Sequence, residues 1–163
     1  MDNMYMKNIQ IKIDDLKDGK VMQLLQEHHR EMHLYSPSES IHALDENKML
    51  EPTVSFWSAW DGDILAACGA LKHLSNEHGE IKAMRTSPAY LRQGIAEKIL
   101  ICLLEEAKKR GYKNVSLETG SHQAFIPAVN LYKKFGFEQC GPFGSYRLDP
   151  HSIFLKKKIG YSN

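Results

Sequence analysis

Across Asn8 to Asp14, Ile9, Ile11 and Ile13 alternate with polar residues, the two-residue period of a strand with one buried face. From Asp18 onward the period changes. Val21, Leu24, Leu25, His28 and Met32 fall three and four residues apart, which predicts a helix that Ser36-Pro37-Ser38 brings to an end. A shorter helix is expected from Ser40 to Leu50, closed by Pro52. Thr53 to Trp60 and Ile64 to Leu74 then read as two strands joined through Asp61-Gly62, a tight hairpin signal. A polar turn from Ser75 to Gly79 leads into a further strand, Glu80 to Thr86, which Pro88 ends.

The second half alternates helix and strand. After Gly94, Ala96, Leu100, Leu103 and Ala107 form one apolar stripe, Lys108-Lys109-Arg110 occupy the last turn and Gly111 stops the helix. Asn114 to Thr119 is a strand, and Pro127 to Phe135 is a helix with Ala128, Leu131, Tyr132 and Phe135 on one face. Two last strands are expected at Phe137 to Gly141 and Ile153 to Lys158. The order predicts an α/β (α+β) fold, a mixed central sheet of about seven strands flanked by about four helices. No repeat or low-complexity linker interrupts it, and 163 residues suit one core, so residues 1–163 are expected to form a single domain.

Composition narrows the class without naming a function. With 42% hydrophobic and 25% charged residues and no apolar run long enough for a bilayer, no membrane partner is expected. Met1 to Asp15 lacks the apolar core and cleavage site of a secretory signal, which predicts a cytoplasmic address. Cys68, Cys102 and Cys140 are far apart and never spaced C-x-x-C, arguing against disulfides and a zinc site; they read as buried free thiols, and no metal is expected. His29 and His33 stand one turn apart without the H-E-x-x-H order of a zinc protease, and read as a partly exposed helix face. A net charge of +1 gives no field to attract nucleic acid, and Lys156-Lys157-Lys158 reads as a solvated strand end. Phe56, Trp57 and Trp60 are expected to pack the sheet rather than stack on bases.

The segment between the strand ending at Thr86 and the helix after Gly94 carries the chemistry. A helix begins with unpartnered N–H groups and the positive end of its dipole, so an anion placed there is both hydrogen-bonded and electrostatically favoured. Gly94 lets backbone approach such an anion, Ala96 leaves room, and Arg92 adds charge. Taken alone, one glycine before a helix is equally a plain turn. Neither G-x-G-x-x-G nor the P-loop pattern occurs, which disfavours a Rossmann cofactor or a nucleoside triphosphate.

Glu80 to Ala96, joined to Ala128 through Phe137, resembles the GNAT N-acetyltransferase superfamily and its small bacterial members in particular. Leu91-Arg92-Gln93-Gly94-Ile95-Ala96 stands where the family has R/Q-x-x-G-x-G/A, and Ala128 to Phe137 reproduces A-x-x-L-Y-x-x-x-G-F. The two signatures span residues 80–137, and the element order agrees along the whole chain. Leu91 departs from the usual Arg or Gln, with Arg92 one place later; a loop that works through backbone N–H groups tolerates this. Phe125 stands where many members carry Asn, which takes one polar contact to the cofactor out of the expectation.

The resemblance implies an acyl-CoA-dependent N-acetyltransferase that moves an acetyl group from acetyl-CoA to an amine of a small molecule or peptide, by direct attack in a ternary complex. It implies that the cofactor lies where the strands Glu80 to Thr86 and Asn114 to Thr119 splay apart. By resemblance, backbone groups of Met84, Arg85 and Thr86 would hold the pantetheine arm and polarise the thioester, while Leu91, Arg92, Gln93, Gly94, Ile95, Ala96 and Glu97 would hold the pyrophosphate. Tyr132 aligns with the family's acid for the leaving thiolate, although periodicity alone makes it a core aromatic. Glu80 is the expected base, six residues before Thr86, against the alternative of a solvent-facing strand residue; Glu118 and His122 are weaker alternatives. His33, Tyr35 and Ser36 through Ser40 are expected to border the acceptor, and Gly141 to Tyr146 is read as a strand connection, against the alternative of a loop over the acceptor pocket. A non-catalytic acyl-CoA-binding regulator and a nucleotide-binding module on the Gly94 loop are the rival readings. A monomer or homodimer is expected; the acceptor is not legible.

Overall fold

The computed structural model describes residues 8–34 and 46–160. Its elements are β1 (Ile9–Asp14), α1 (Lys20–Met32), α2 (Glu46–Met49), β2 (Val54–Asp61), β3 (Ile64–Ser75), β4 (His78–Thr86), α3 (Ile95–Lys109), β5 (Asn114–Gly120), α4 (Ile126–Lys134), β6 (Glu138–Cys140) and β7 (Ser152–Lys158). The seven strands form one mixed sheet in the order β1-β2-β3-β4-β5-β7-β6. The expected break at Ser36-Pro37-Ser38, the first residues of the second helix, and the proposed acceptor-bordering positions Tyr35 and Ser36 through Ser40 lie outside the described residues.

Strand alternation sorts the apolar residues to two faces. Trp57, Ala59, Ala67, Leu71 and Ile81 join Ile95, Ile99, Leu100, Leu103 and Ala107 of α3 and Tyr132 of α4 in one buried cluster. Phe56, Cys68 and Ala70 join Val21, Leu24 and Leu25 of α1 and Met49 of α2 in a second. Neighbours such as Phe56 and Trp57, or Ala70 and Leu71, therefore point to opposite helical layers. Leu103 is fully buried; its truncation, Leu103→Ala, is expected to destabilise the fold by about 3 kcal/mol in denaturant unfolding.

Two features differ from the sequence reading. Gly79 is not a turn residue, because the hairpin between β3 and β4 closes at the Ser75 and His78 pair and Gly79 lies within β4. Its lack of a side chain is used elsewhere: a Cβ there would stand 2.6 Å from the Tyr112 ring, which covers the strand at that point. Of the three thiols, Cys68 is buried, whereas Cys102 and Cys140 are only partly so; all three are free.

The sheet departs from regular pairing where the site forms. β4 and β5 run parallel but pair only at His78 with Asn114, Gly79 with Val115 and Glu80 with Ser116. Beyond Glu80 the two strands part, while β5 continues its ladder with β7 from Asn114 through Gly120. A gap thus opens through the middle of the sheet, between the helical layers.

Candidate active site

On its other edge β4 carries a bulge. Cys68 faces Arg85 and Ala70 faces Lys82, so three steps along β4 match two along β3. The irregularity centres on Ala83, whose φ of 55° places a non-glycine residue in the left-handed region. Such a conformation twists the strand and frees backbone groups from the ladder beside the gap.

The chain then turns through a short 3-10 segment, Pro88–Tyr90, pinned by the buried Tyr90, whose hydroxyl donates to Asp61 Oδ2 at 2.7 Å. Arg92 and Gly94 both adopt left-handed conformations, with φ of 63° and 77°. Gly94 is the N-cap of α3 and no side chain caps the helix, so the first-turn N–H groups of Ile95, Ala96 and Glu97 are left to another acceptor. The carboxylate of Glu97, which would repel an anion there, is drawn aside by Lys134 Nζ at 3.3 Å. Leu91 is 52% exposed, consistent with a position that contributes backbone rather than side chain.

These elements enclose a cavity of about 620 Å³ that passes through the splayed sheet. Gly94, Ala96, Glu97, Ala128, Leu131 and Tyr132 line it from the α3 and α4 layer, and Leu25, His28, Glu31 and Met32 line it from α1. Met84, Arg85, Thr86, Leu117, Glu118 and Thr119 form the walls between the layers. Of the residues anticipated for the donor, Met84, Arg85, Thr86, Leu91, Arg92, Gly94, Ile95, Ala96 and Glu97 line this one space, together with Tyr132. Gln93, Glu80, His122 and His33 are not among its lining residues.

Glu80 is 3% exposed and engaged elsewhere. The Tyr146 hydroxyl donates to its Oε2 at 2.6 Å, and Lys82 Nζ lies 3.3 Å from the same oxygen and 3.0 Å from the Tyr146 hydroxyl. The loop Gly141 to Tyr146 is thus more than a connection, because Phe143 and Tyr146 pack on each other and on Phe154, seating the hydroxyl over Glu80. Glu118 lines the cavity from the wall between the layers. It accepts from Ser152 Oγ at 2.6 Å, and burial pushes its pKa up to about 7 despite that bond and the nearby Lys82.

Tyr132 is 5% exposed, with its ring edge-on to Phe137 at 5.7 Å. Burial raises its phenol above the ordinary value. On the α1 side Arg85 Nη2 donates to Glu31 Oε2 at 2.7 Å. His28 is held uncharged by burial and by that guanidinium, with its pKa lowered to about 4. The sequence reading placed His28 on the helical stripe and gave Arg85 only a backbone role; a polar residue inside an apolar stripe was the available signal. His33 is exposed and meets His29 through Nε2 at 3.3 Å, and no group of three metal-binding side chains occurs among the described residues.

The model of the Acetyltransferase (GNAT) family matches residues 20–137, the stretch from α1 through the end of α4. The chain belongs to the GNAT family. N-acetyltransferase YsnE of Bacillus subtilis (strain 168) is 55% identical over 149 residues, covering 91% of this chain and 99% of that protein. N-acetyltransferase YedL of Escherichia coli (strain K12) is 49% identical, covering 94% and 96%. Among solved structures, an acyl-CoA N-acyltransferase from Klebsiella pneumoniae superposes with a TM-score of 0.76 at 25% identity, covering 93% of this chain and 98% of that one. A GNAT family acetyltransferase from Elizabethkingia anophelis with acetyl-CoA bound shares the fold at a TM-score of 0.68 and 21% identity, covering 93% and 98%. This GNAT protein is accordingly an N-acetyltransferase.

Proposed function

We propose that the protein transfers an acetyl group from acetyl-CoA to an amine of a small molecule or peptide, by direct attack within a ternary complex. The observation that carries this reading is the single cavity joining the two helical layers through the gap between β4 and β5. A donor held on the α3 side and an acceptor entering from the α1 side meet inside the sheet, where water is scarce and fixed dipoles act strongly.

Each role follows from position. The uncapped first turn of α3 and the left-handed Arg92 and Gly94 suit the pyrophosphate. The bulge at Ala83 leaves β4 backbone groups beside the gap to hold the pantetheine arm and steady the oxygen of the thioester as charge develops. Tyr132 gives a proton to the leaving thiolate. For the base, access favours Glu118 over Glu80: Glu118 faces the cavity, whereas Glu80 lies under Tyr146 and Lys82 and supports the field around it. A carboxylate with a pKa of about 7 takes a proton from an ammonium far better than one near its ordinary value. Free thiols at Cys68, Cys102 and Cys140 fit a reducing compartment, so we place the enzyme in the cytoplasm.

Release of CoA thiol across a panel of amines tests the reaction. Initial-rate plots that intersect support the ternary complex, and parallel plots would point to an acetyl-enzyme instead. Binding of acetyl-CoA with no release for any amine would sink the transfer, and no binding would sink the donor. The loop has its own test. No atom lies within 4 Å of a Cβ added at Gly94, so Gly94→Ala introduces no clash and only the strain of φ 77°. It is expected to weaken CoA binding about tenfold in titration calorimetry, through roughly 1–2 kcal/mol of backbone strain.

A further inference from the structure

Arg85 leaves β4 toward α1, where Nη2 donates to Glu31 at 2.7 Å. Its Nε is buried and has no hydrogen-bond partner among the described residues, and the side chain is only 16% exposed. One turn before Glu31, the buried Nδ1 of His28 is likewise without a partner. Buried polar atoms are nearly always satisfied, and both orphans belong to residues that line this cavity. Both lie on the α1 side, away from the helix end that suits the donor's pyrophosphate.

We propose that the acceptor is an amino acid with an apolar side chain, its carboxylate seated on Arg85 and His28 and its amine turned toward Glu118. This rests on the acetyl-transfer reading for the amine and adds the chemistry of the acceptor's other end. A planar guanidinium receives a carboxylate through two parallel N–H bonds, and Arg85 has an unpartnered Nε beside Nη2, which carries a second N–H besides the one given to Glu31. Neutral His28 supplies a further N–H. The Glu31 carboxylate is 46% exposed and bonds one nitrogen only, so it balances Arg85 without blocking the fork. With Arg85 and Glu31 summing to zero charge, a monoanion fits better than a phosphate dianion. Leu25 and Met32, which line the same end, give the side chain an apolar wall.

The test compares leucine, methionine and phenylalanine, each beside its decarboxylated amine and its amide, titrated onto the CoA-loaded protein. At least one amino acid is expected to bind on the order of 10- to 100-fold more tightly than its two partners, the range for a charge-assisted hydrogen bond. Arg85→Gln is expected to bring that ratio toward one, and Arg85→Lys, a point charge without the fork, to restore part of it. No carboxylate preference in the wild type, or a preference that survives Arg85→Gln, overturns the proposal. Transfer that is equal for an amino acid and its decarboxylated amine, corrected for the free-amine fraction, overturns the acceptor class and leaves acetyl transfer standing. Tight, Arg85-dependent binding without transfer keeps the carboxylate site and overturns acetyl transfer.

Discussion

Tyr132→Phe is expected to lower kcat about a hundredfold, within the range for loss of a positioned general acid, with CoA affinity nearly unchanged. The substitution keeps the ring that packs on Phe137 and removes only the hydroxyl. Among the described residues that hydroxyl is given no hydrogen-bond partner, so its loss orphans no other group and the fold is expected to hold. Burial raises the phenol above its ordinary value, so it stays protonated across the neutral range and meets the departing sulfur as a neutral donor. Single-turnover release of CoA thiol at saturating donor isolates the step. A kcat within twofold of wild type would return Tyr132 to the reading that periodicity alone supports, a core aromatic among Ala128, Leu131 and Phe135.

What was legible in the sequence follows from how local each signal is. Strand alternation at Ile9 to Ile13 and the stripe after Gly94 depend only on neighbours along the chain, and both elements stand where expected, although Ile13 is 72% exposed rather than on a buried face. The helix start at Gly94 was legible for the same reason, since the loop Leu91 to Ala96 leads straight into the helix. Glu80 shows where local reading ends. The family resemblance made it the expected base, and its partners are Lys82, two residues away, and Tyr146, 66 residues along the chain. The pairing of Tyr146 with Glu80 depends on how Phe143, Tyr146 and Phe154 pack, which no spacing encodes. The cluster of His28, Glu31 and Arg85 is of the same kind: its hydrogen bond joins residues 54 apart, across α1 and β4. Gly79 was misjudged as a turn glycine because the ring that covers it belongs to the distant Tyr112.

Glu118→Gln is expected to lower kcat/KM at pH 7.5 by on the order of 10²- to 10³-fold and to change the shape of the pH profile. In the wild type kcat/KM should rise with pH through about 7, where Glu118 gives up its proton. A second rise at higher pH belongs to the acceptor amine, and the glutamine variant should retain that one alone. The group's stability effect runs in the opposite direction. Its folded pKa stands above the ordinary 4.5, so its contribution to stability is complete below 4.5 and is lost as pH rises to about 7. Above that the wild type holds a largely buried carboxylate ionised at the expense of stability, the condition a base facing an ammonium requires. Glu118→Gln keeps an acceptor for Ser152 Oγ, so the variant is expected to be more stable than wild type in denaturant unfolding at pH 8, with the difference shrinking toward pH 4.5. Loss of activity together with this gain identifies Glu118 as the base. Loss of activity with equal loss of stability would make it structural, and an unchanged limb near pH 7 would remove Glu118 from the role of base.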